Sequence, residues 1–305
     1  MKPSAGNPPR SGLVLLRKRE GVTSFQALAP VKRALGMGKV GHAGTLDRFA
    51  TGLLVVLTGS YSRLASYVVA GSKRYRGLVV FGVETDTLDP EGAVVATGPI
   101  PALPDLEQAL AGFRGSILQK PPAYSAVHVD GRRAYQIALR GGEPELKERR
   151  VEISSLELIS YESGQARIEV VCSSGTYIRS LARDMALRCG SRAHLRELER
   201  DGVGPFDLED AVAPEEFDPK TDLLALEPED APKLGLRALG LAAPELSARF
   251  VVGTSLGAEA FLPLDGRGDA IGSKGAVFDR GDALLGVVRL ERGGARYECV
   301  LGATS

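Results

Sequence analysis

The sequence predicts an α+β protein with a large N-terminal part and a small β-rich C-terminal module. Segments 151–160 and 165–171 alternate apolar and polar residues as half-buried strands do, whereas 176–188 has the spacing of a helix. An acidic, proline-containing stretch at 207–244 separates these elements from short strand patterns divided by glycines. With 305 residues, of which 44% are apolar, the chain is long enough for two domains, or for one large domain with an appendage.

Short strands and helices alternate along the first half of the chain. Prolines near the start predict a disordered lead-in, and Thr23 or Ser24 is placed to cap the first helix. Pro104-Asp105 introduces a later helix. In chain order we expect a disordered lead-in at 1–11, a strand at 12–16, helices at 23–35 and 60–70, a strand at 75–83, a turn at 86–92, a strand at 93–97 and a helix at 106–113.

The second half opens with a long polar insertion. It begins at Pro121-Pro122, runs to Arg150 and is rich in cations. The two strands and the helix named above follow it, the helix coming after a Ser173-Ser174-Gly175 turn. We expect 207–244 to be a helical connector or linker, and the C-terminal strands to lie at 276–278, 284–290 and 297–301.

Several classes of site and location are disfavoured by the composition. No apolar run approaches the roughly 18 residues of a membrane span, and Leu13–Leu16 is too short for a signal-peptide core. The three cysteines are far apart in the sequence and predict reduced thiols. The three histidines have no i, i+4 pairing, and no cofactor motif is present. We therefore expect a cytoplasmic protein without metal or cofactor.

Charge is segregated along a chain whose net charge is zero. Residues 10–76 hold 12 Lys/Arg against two acids, and residues 114–150 hold eight against four. Residues 201–230, by contrast, hold 11 acids and a single lysine. A basic part of this kind suits a phosphate backbone, with the acidic segment facing solvent. On charge alone, chance clustering of solvated side chains is an equal alternative.

One carboxylate lies in a glycine-rich loop that leads directly into an apolar run. The loop is Gly41-His42-Ala43-Gly44-Thr45-Leu46-Asp47, and the run is Leu53-Leu54-Val55-Val56-Leu57. The small residues before Asp47 would let a flat ring approach it closely, and the run can anchor the loop on a rigid element. Taken alone, such an aspartate is more often a turn or cap residue.

Aromatic residues embedded among cations point to a nucleic-acid substrate. Lys73-Arg74-Tyr75-Arg76 surrounds a ring with three positive charges, and Thr176-Tyr177-Ile178-Arg179 puts a tyrosine and an arginine where a strand gives way to a helix. Aromatic rings stack on unpaired bases and arginines hold phosphates or carboxylates. Each residue alone could be structural. With Asp47 they predict a site that acts on a base turned out of its stack.

Six motifs in order give the chain a family resemblance from Gly12 to about Phe206, continuing more weakly to the C-terminus. They are the Asp47 loop with Ala50-Thr51-Gly52-Leu53-Leu54, Lys73-Arg74-Tyr75, Thr85-Asp86-Thr87-Leu88-Asp89 with Gly92, Pro121-Pro122-Ala123-Tyr124-Ser125-Ala126, 175–184 and Val203-Gly204-Pro205-Phe206. In these motifs the chain resembles the bacterial TruB-type tRNA pseudouridine-55 synthases.

The resemblance implies a pseudouridine-synthase-like fold, with a mixed, mainly antiparallel sheet and flanking helices. It divides the chain into a catalytic domain at 12–240, in which 121–150 forms an RNA-binding flap, and a PUA-like domain at 241–305. The implied reaction isomerises uridine 55 in the T-loop of tRNA. It needs no cofactor, because a covalent carboxylate intermediate requires only a positioned nucleophile. The expected partner is the tRNA T-arm stem-loop, and the protein is expected to be a monomer with no obligatory protein partner.

The resemblance also assigns roles to individual residues. Asp47 would add to the uridine ring or to its ribose carbon, Arg179 would pair with Asp47, and Tyr75 would stack against the target base. His42 would enter the T-loop and help to keep the target nucleotide extruded. The remaining implied substrate contacts are Gly44, Thr45, Lys18, Tyr177, Arg132 and Leu198.

The chain departs from the family pattern at some positions around these motifs. Arg48 stands where proline usually follows the catalytic aspartate, and Arg19 replaces a proline near the first strand. His128 stands in place of a flap lysine, and Glu199 replaces the first of two arginines. Two other functions stay open: a T-arm binding protein with lost catalysis, and a related synthase acting on another RNA. Turnover on transcribed tRNA would discriminate among them.

Overall fold

The computed structural model describes residues 11–36, 38–129, 131–268 and 270–301. The lead-in expected at 1–11 lies outside the described residues, apart from Ser11. The strands, in chain order, are β1 Gly12–Lys18, β2 Val40–His42, β3 Thr51–Thr58, β4 Lys73–Phe81, β5 Val83–Thr85, β6 Val94–Thr97, β7 Gly115–Gln119, β8 His128–Val129, β9 Arg132–Arg133, β10 Arg149–Glu162, β11 Gln165–Cys172, β12 Ala193–Val203, β13 Phe206–Asp207, β14 Arg237–Leu241, β15 Phe261–Pro263, β16 Lys274–Phe278, β17 Leu284–Glu291 and β18 Gly294–Val300.

The helices are short and connect these strands. The α-helices are α1 Ala29–Leu35, α2 Ala65–Ala70, α3 Leu103–Ala111, α4 Ala134–Ala138, α5 Ile178–Arg188 and α6 Leu246–Val251. Single 3-10 turns form at Gln26–Leu28, Gly59–Leu64, Leu208–Asp210, Pro228–Asp230, Pro232–Leu234 and Ala258–Ala260. None of the helices in the described ranges is long and apolar enough to cross a membrane.

A large sheet forms the centre of the N-terminal part. Its strand order is β1-β3-β12-β4-β11-β10-β7, with β2 paired to β3 and β13 paired to β12. All of these pairs are antiparallel except β12 with β3, which run parallel. The mixed, mainly antiparallel sheet implied by the family resemblance is thus confirmed.

Two helices cover one face of this sheet. The other face is covered by apolar side chains at the strands β1 and β3. Apolar side chains of β4, β10, β11 and β12 pack with α3 and α5 in one core. The strands β1 and β3 are buried on both faces: Val14 and Leu54 pack toward α1, whereas Leu13 and Leu53 pack toward α2 and the C-terminal sheet. The strand β3, which follows the Asp47 loop, is therefore covered by apolar side chains on both faces.

The C-terminal module is a five-stranded sheet in the order β15-β14-β16-β17-β18. One side has its own core around Phe250 and Val277. The other side contributes Phe278 and Val287 to the core that contains Leu13 and Leu53. The module is β-rich as predicted, but it shares apolar packing with the N-terminal sheet.

The segment 207–244, expected to be a helical connector or linker, contains no α-helix. Its last part is the strand β14, and the boundary expected between 240 and 241 falls inside that strand. The part before it has 3-10 turns and extended backbone: Leu224 exchanges two backbone hydrogen bonds of 2.8 Å with Leu13, and Val212 accepts one of 2.8 Å from Arg17. The segment thereby covers the outer edge of β1, which would otherwise expose unpaired backbone groups.

The first helix begins later than predicted. Thr23 and Gln26 bond reciprocally through side chain and backbone, at 2.8 and 3.2 Å, and so cap a 3-10 turn. The α-helix starts only at Ala29, with Pro30 in its first turn. In the flap, β8 and β9 form a small hairpin that leads into α4.

Candidate active site

Four elements bring their ends together beside the Asp47 loop. The loop joins β2 to β3, Tyr75 lies near the start of β4, Arg200 lies near the end of β12, and Arg179 is the second residue of α5. Parallel pairing of β3 with β12 sets Gly52 opposite Arg200. Gly52 has φ +108°, and a Cβ there would lie 2.4 Å from the Arg200 carbonyl oxygen, so the close pairing requires glycine.

Asp47 forms an ion pair with Arg179. Nη2 of Arg179 donates a hydrogen bond of 3.1 Å to one carboxylate oxygen, and Nε lies 2.8 Å from the other, at an angle that is not that of a hydrogen bond. The guanidinium is 4% exposed and the carboxylate 35%. One partner is thus fixed in the interior, while the other keeps an open side.

Arg179 is held by more than Asp47. Its Nη1 donates to the Thr87 carbonyl at 2.7 Å and to the Asp89 carboxylate at 3.2 Å, and its Nη2 donates to the Tyr124 carbonyl at 3.0 Å. A cation in the first turn of a helix is disfavoured by the helix dipole, and two carboxylates offset this here. Arg179 therefore joins the Asp47 loop, the Thr85–Asp89 turn and the start of the flap.

Arg200 supports the loop from below. It is buried, and its Nε donates to the Leu53 carbonyl at 2.9 Å while Nη2 donates to the Gly44 carbonyl at 3.1 Å. A longer contact of 3.5 Å reaches the Thr45 carbonyl. The arginine thus fixes the backbone of the loop that carries the nucleophile candidate.

Lys18 supports the other side of the loop. Its ammonium lies 2.5 Å from the Ala50 carbonyl oxygen, 2.9 Å from that of Arg19 and 3.3 Å from that of Arg48. Burial lowers the pKa of Lys18 from 10.5 to about 8, although the nearby Asp47 carboxylate opposes that shift. Lys18, which the family resemblance implies as a substrate contact, is fully buried beneath the loop and meets backbone carbonyls there.

The loop is also tied to the segment before α1. The Ser24 hydroxyl accepts a hydrogen bond of 2.8 Å from the Leu46 amide and donates one of 3.0 Å to the Leu46 carbonyl. Arg48 donates from Nε to the Gly21 carbonyl at 3.0 Å. These bonds hold the residues on both sides of Asp47 without the proline that usually follows it.

An open cleft of about 750 Å³ lies in front of Asp47. Tyr75 lines it as a half-buried ring, and burial raises the pKa of its phenol, with the charge of Arg200 opposing. His42 lines it as well. Its pKa is lowered by burial and then by the charge of Arg200, and its Nδ1 has no partner among the described residues. At neutral pH the cleft therefore presents a neutral phenol and a neutral imidazole beside the carboxylate.

The family model of TruB family pseudouridylate synthases (N-terminal domain) matches residues 32–178. The tRNA pseudouridine synthase B of Borreliella burgdorferi (strain ZS7) is 44% identical over 220 residues, which are 71% of this chain and 78% of that protein. This chain belongs to the TruB family. The tRNA pseudouridine synthase B of Synechococcus sp. (strain WH7803) is 40% identical over 283 residues, 90% of this chain and 92% of that protein.

A solved structure agrees with the TruB-family fold over nearly the whole chain. The crystal structure of the archaeal box H/ACA sRNP Nop10-Cbf5 complex contains a chain that superposes with a TM-score of 0.71. The match covers 97% of this chain and 89% of the other, at 20% sequence identity. The large sheet and the C-terminal module thus occur together in another protein.

Most site residues expected from the TruB-family resemblance meet in the cleft. Its lining includes His42, Gly44, Thr45, Asp47, Tyr75, Tyr177, Arg179 and Leu198. Arg132 lies apart from them on β9 of the flap, where it lines a separate groove with Gln136 and Arg140. The described residues contain no cluster of three or more His, Cys, Asp or Glu that could hold a metal ion.

Sequence reasoning missed several residues that build this TruB-family site. Arg200, which follows the departure at Glu199, and Asp89, which lies in the 85–89 motif, have no predicted role. Ser24 was considered as a helix cap, yet it bonds to the Asp47 loop. The sequence carries no local signal for these roles, because a buried polar network forms through tertiary contacts.

The arrangement suits nucleophilic chemistry by a carboxylate. Asp47 is held by one guanidinium on its buried side and is open to the cleft on the other. Tyr75 and Leu198 line the same cleft and offer an aromatic and an apolar surface to a flat ring. A positioned nucleophile with an adjacent stacking ring is what a covalent reaction on a nucleobase or its ribose requires.

Proposed function

We propose that this TruB-family protein is a tRNA pseudouridine synthase that isomerises uridine 55 in the T-loop. The observation that carries the proposal is the pairing of Asp47 with the buried Arg179 at 2.8 Å, on the floor of an open cleft lined by Tyr75. The names of the relatives and the basic character of residues 10–76 support a tRNA substrate.

The proposed chemistry starts with attack by Asp47. Its carboxylate adds either to C6 of the uracil ring or to C1′ of the ribose, and the N1–C1′ bond then breaks. The uracil rotates within the cleft and C5 bonds to C1′. C5 then loses its proton, N1 gains one, and the aspartate is released. The sum is an isomerisation, with no atom gained or lost. Arg179 stabilises the carboxylate and orients it throughout.

Tyr75 acts first as a stacking ring in this scheme. The pKa of its phenol is raised by burial, so the phenol is neutral at physiological pH. A neutral phenol is a weak base but a good aromatic surface. It can hold the uracil parallel to the cleft wall during the rotation and pass a proton at the end.

Recognition of the T-arm is assigned to groups around the cleft. The neutral His42 ring, half-buried at the cleft wall, takes the space left by the extruded nucleotide. Flap cations, including the exposed Arg132, contact the phosphates of the stem. The protein works in this proposal as a monomer and needs neither metal nor nucleotide cofactor.

An isolated T-arm stem-loop tests the proposal. The purified protein should convert its target uridine to pseudouridine in excess EDTA, whereas a linear oligonucleotide of the same sequence should react poorly. Binding should weaken by about a hundredfold or more between roughly 50 and 200 mM salt, because several phosphate contacts release counterions. Binding without conversion would instead identify a T-arm binding protein, and conversion confined to another RNA would identify a related synthase.

A further inference from the structure

An exposed aromatic ring lies on the rim of the cleft and has no role in the reaction described above. Phe25 is 68% exposed, the largest exposure of any aromatic side chain among the exposed large apolar residues of the described chain. It lines the same cleft as Asp47 and His42. An exposed apolar residue alone is common on protein surfaces and indicates nothing. This ring differs from such residues in its fixed backbone and in the cation that lies against it.

The backbone that presents Phe25 is fixed on both sides. Before it, Ser24 makes two hydrogen bonds to Leu46, the residue next to Asp47. After it, Gln26 bonds with Thr23 in the reciprocal cap. Because the Ser24 bonds also hold the Asp47 loop, the backbone that carries the ring is tied to the loop of the nucleophile. A preorganised ring loses little entropy when a ligand binds to it.

A cation lies against the ring. Nζ of Lys32 is 4.3 Å from the ring centroid of Phe25. Among the described residues no carboxylate lies within ion-pair distance of Lys32, nor of Arg33 beside it on α1. The ring is thus exposed next to positive charge that is free to meet a phosphate. This combination is typical of surfaces that bind unpaired nucleotides.

We propose that Phe25 and Lys32 form a binding site for an unpaired nucleobase that neighbours the target uridine, the base stacking on the ring and its phosphate meeting Lys32. The proposal rests on the proposed function, because it requires an RNA loop with its target nucleotide at Asp47. It adds a second point of base contact to the cleft, besides the ring of Tyr75. The site would read an unpaired, stackable base and would favour a loop over a helix.

A set of stem-loop RNAs, each lacking one loop base, tests the site. Binding is measured in the Asp47→Asn background so that the RNA is not converted during the titration. Phe25→Ala should weaken binding of the intact stem-loop by about tenfold, within the range of single base–aromatic stacks. Phe25→Leu should be similar, because it keeps the bulk but not the aromatic face, whereas Phe25→Tyr should bind within about twofold of the parent.

The abasic RNAs identify the stacked base. One abasic position should weaken binding of the parent protein about as much as Phe25→Ala does, and the two changes together should cost no more than either alone. Ile159→Ala is the matched control, since Ile159 is 57% exposed on β10 away from the cleft. It should bind every RNA as the parent does. Lys32→Ala should reduce the salt dependence of binding by about one phosphate contact.

Two results would overturn the proposed base-binding site. Phe25→Ala and Phe25→Leu could bind the intact stem-loop as tightly as the parent, or their loss could be equal with every abasic RNA, which would mean that no base stacks there. Failure of the proposed function is a separate result: the wild-type protein would then form no pseudouridine in the stem-loop. If it forms pseudouridine and the Phe25 variants bind normally, only the base-binding site is refuted.

Discussion

Replacement of Arg200 by methionine should loosen the Asp47 loop from beneath. The side chain is buried and makes two hydrogen bonds of 2.9 and 3.1 Å, to the carbonyls of Leu53 and Gly44. Methionine keeps an unbranched apolar stem, is shorter than arginine, and leaves both acceptors without a donor. An unsatisfied buried carbonyl costs about 1–3 kcal/mol, and relief of repulsion between Arg200 and Lys18 offsets part of that. We expect the free energy of unfolding to fall by about 2–4 kcal/mol.

The assay combines urea denaturation with single-turnover kinetics on the T-arm stem-loop. Loss of stability should appear as a lower midpoint with an unchanged slope. The rate should fall as well, since the carbonyls freed by the substitution belong to the loop that carries Asp47. Arg196→Met is the matched control, because Arg196 is exposed on the same strand. It should stay within about 0.5 kcal/mol of wild type.

A spectroscopic readout separates the charge of Arg200 from its packing. Arg200 lowers the pKa of His42, so Arg200→Met should raise that pKa, whereas Arg200→Lys should leave it nearly unchanged. With three histidines in the chain, NMR titration can follow each one. Stability within 1 kcal/mol of wild type, with an unchanged rate and an unchanged His42 pKa, would refute the assignment of Arg200 as the support of the loop.

Three further substitutions test the rest of the site. Asp47→Asn should abolish pseudouridine formation and leave RNA affinity within several-fold; multiple turnover by this variant would disprove the nucleophile assignment. Arg179→Lys should lower the single-turnover rate by about a hundredfold or more, because lysine cannot reach both Asp47 and Asp89 as a planar fork does. An unchanged rate would show that the fork is dispensable. Lys18 has a lowered folded-state pKa of about 8, so the unfolded chain holds the proton between pH 8 and 10.5 and folding gains stability as pH rises through that window. Relative to Lys18→Met, the wild type should gain up to about 3 kcal/mol over this range in denaturation curves, and parallel curves would contradict the shift.

The elements predicted best were those with strong periodicity. The strands β10 and β11 lie within two residues of the predicted bounds, since their apolar residues alternate with polar ones over a solvated face. The central strand β12 was missed. Its sequence, Ala193–Val203, holds five charged residues, and its apolar positions are shifted by two bulges where it pairs with β4. Local alternation cannot reveal a strand whose register changes twice.

The candidate site was predictable to the extent that its residues lie in compact motifs. Asp47 and Tyr75 stand in short stretches with an unusual mixture of glycine, aromatic and basic residues, and both line the cleft. The supporting residues were harder to predict because they act through tertiary contacts. Lys18 is a substrate contact in the family resemblance, yet the fold buries it against three carbonyls. Whether a charged residue is buried depends on which distant segments pack over it. The residues next to it in the sequence do not reveal this.

The apolar core shared between β1, β3 and the C-terminal sheet makes the unfolding of the two parts inseparable. Leu13 and Leu53 belong to the same apolar core as Phe278 and Val287. Removal of the C-terminal strands would therefore uncover one face of β3, the strand that follows Asp47. A fragment ending before Arg237 would expose that face to water. The Asp47 loop would then open locally at a lower free energy than the rest of the sheet. The C-terminal module thus stabilises the strand that carries the Asp47 loop. A protein shortened to its N-terminal sheet would keep every catalytic residue but lose the rigidity that aligns them.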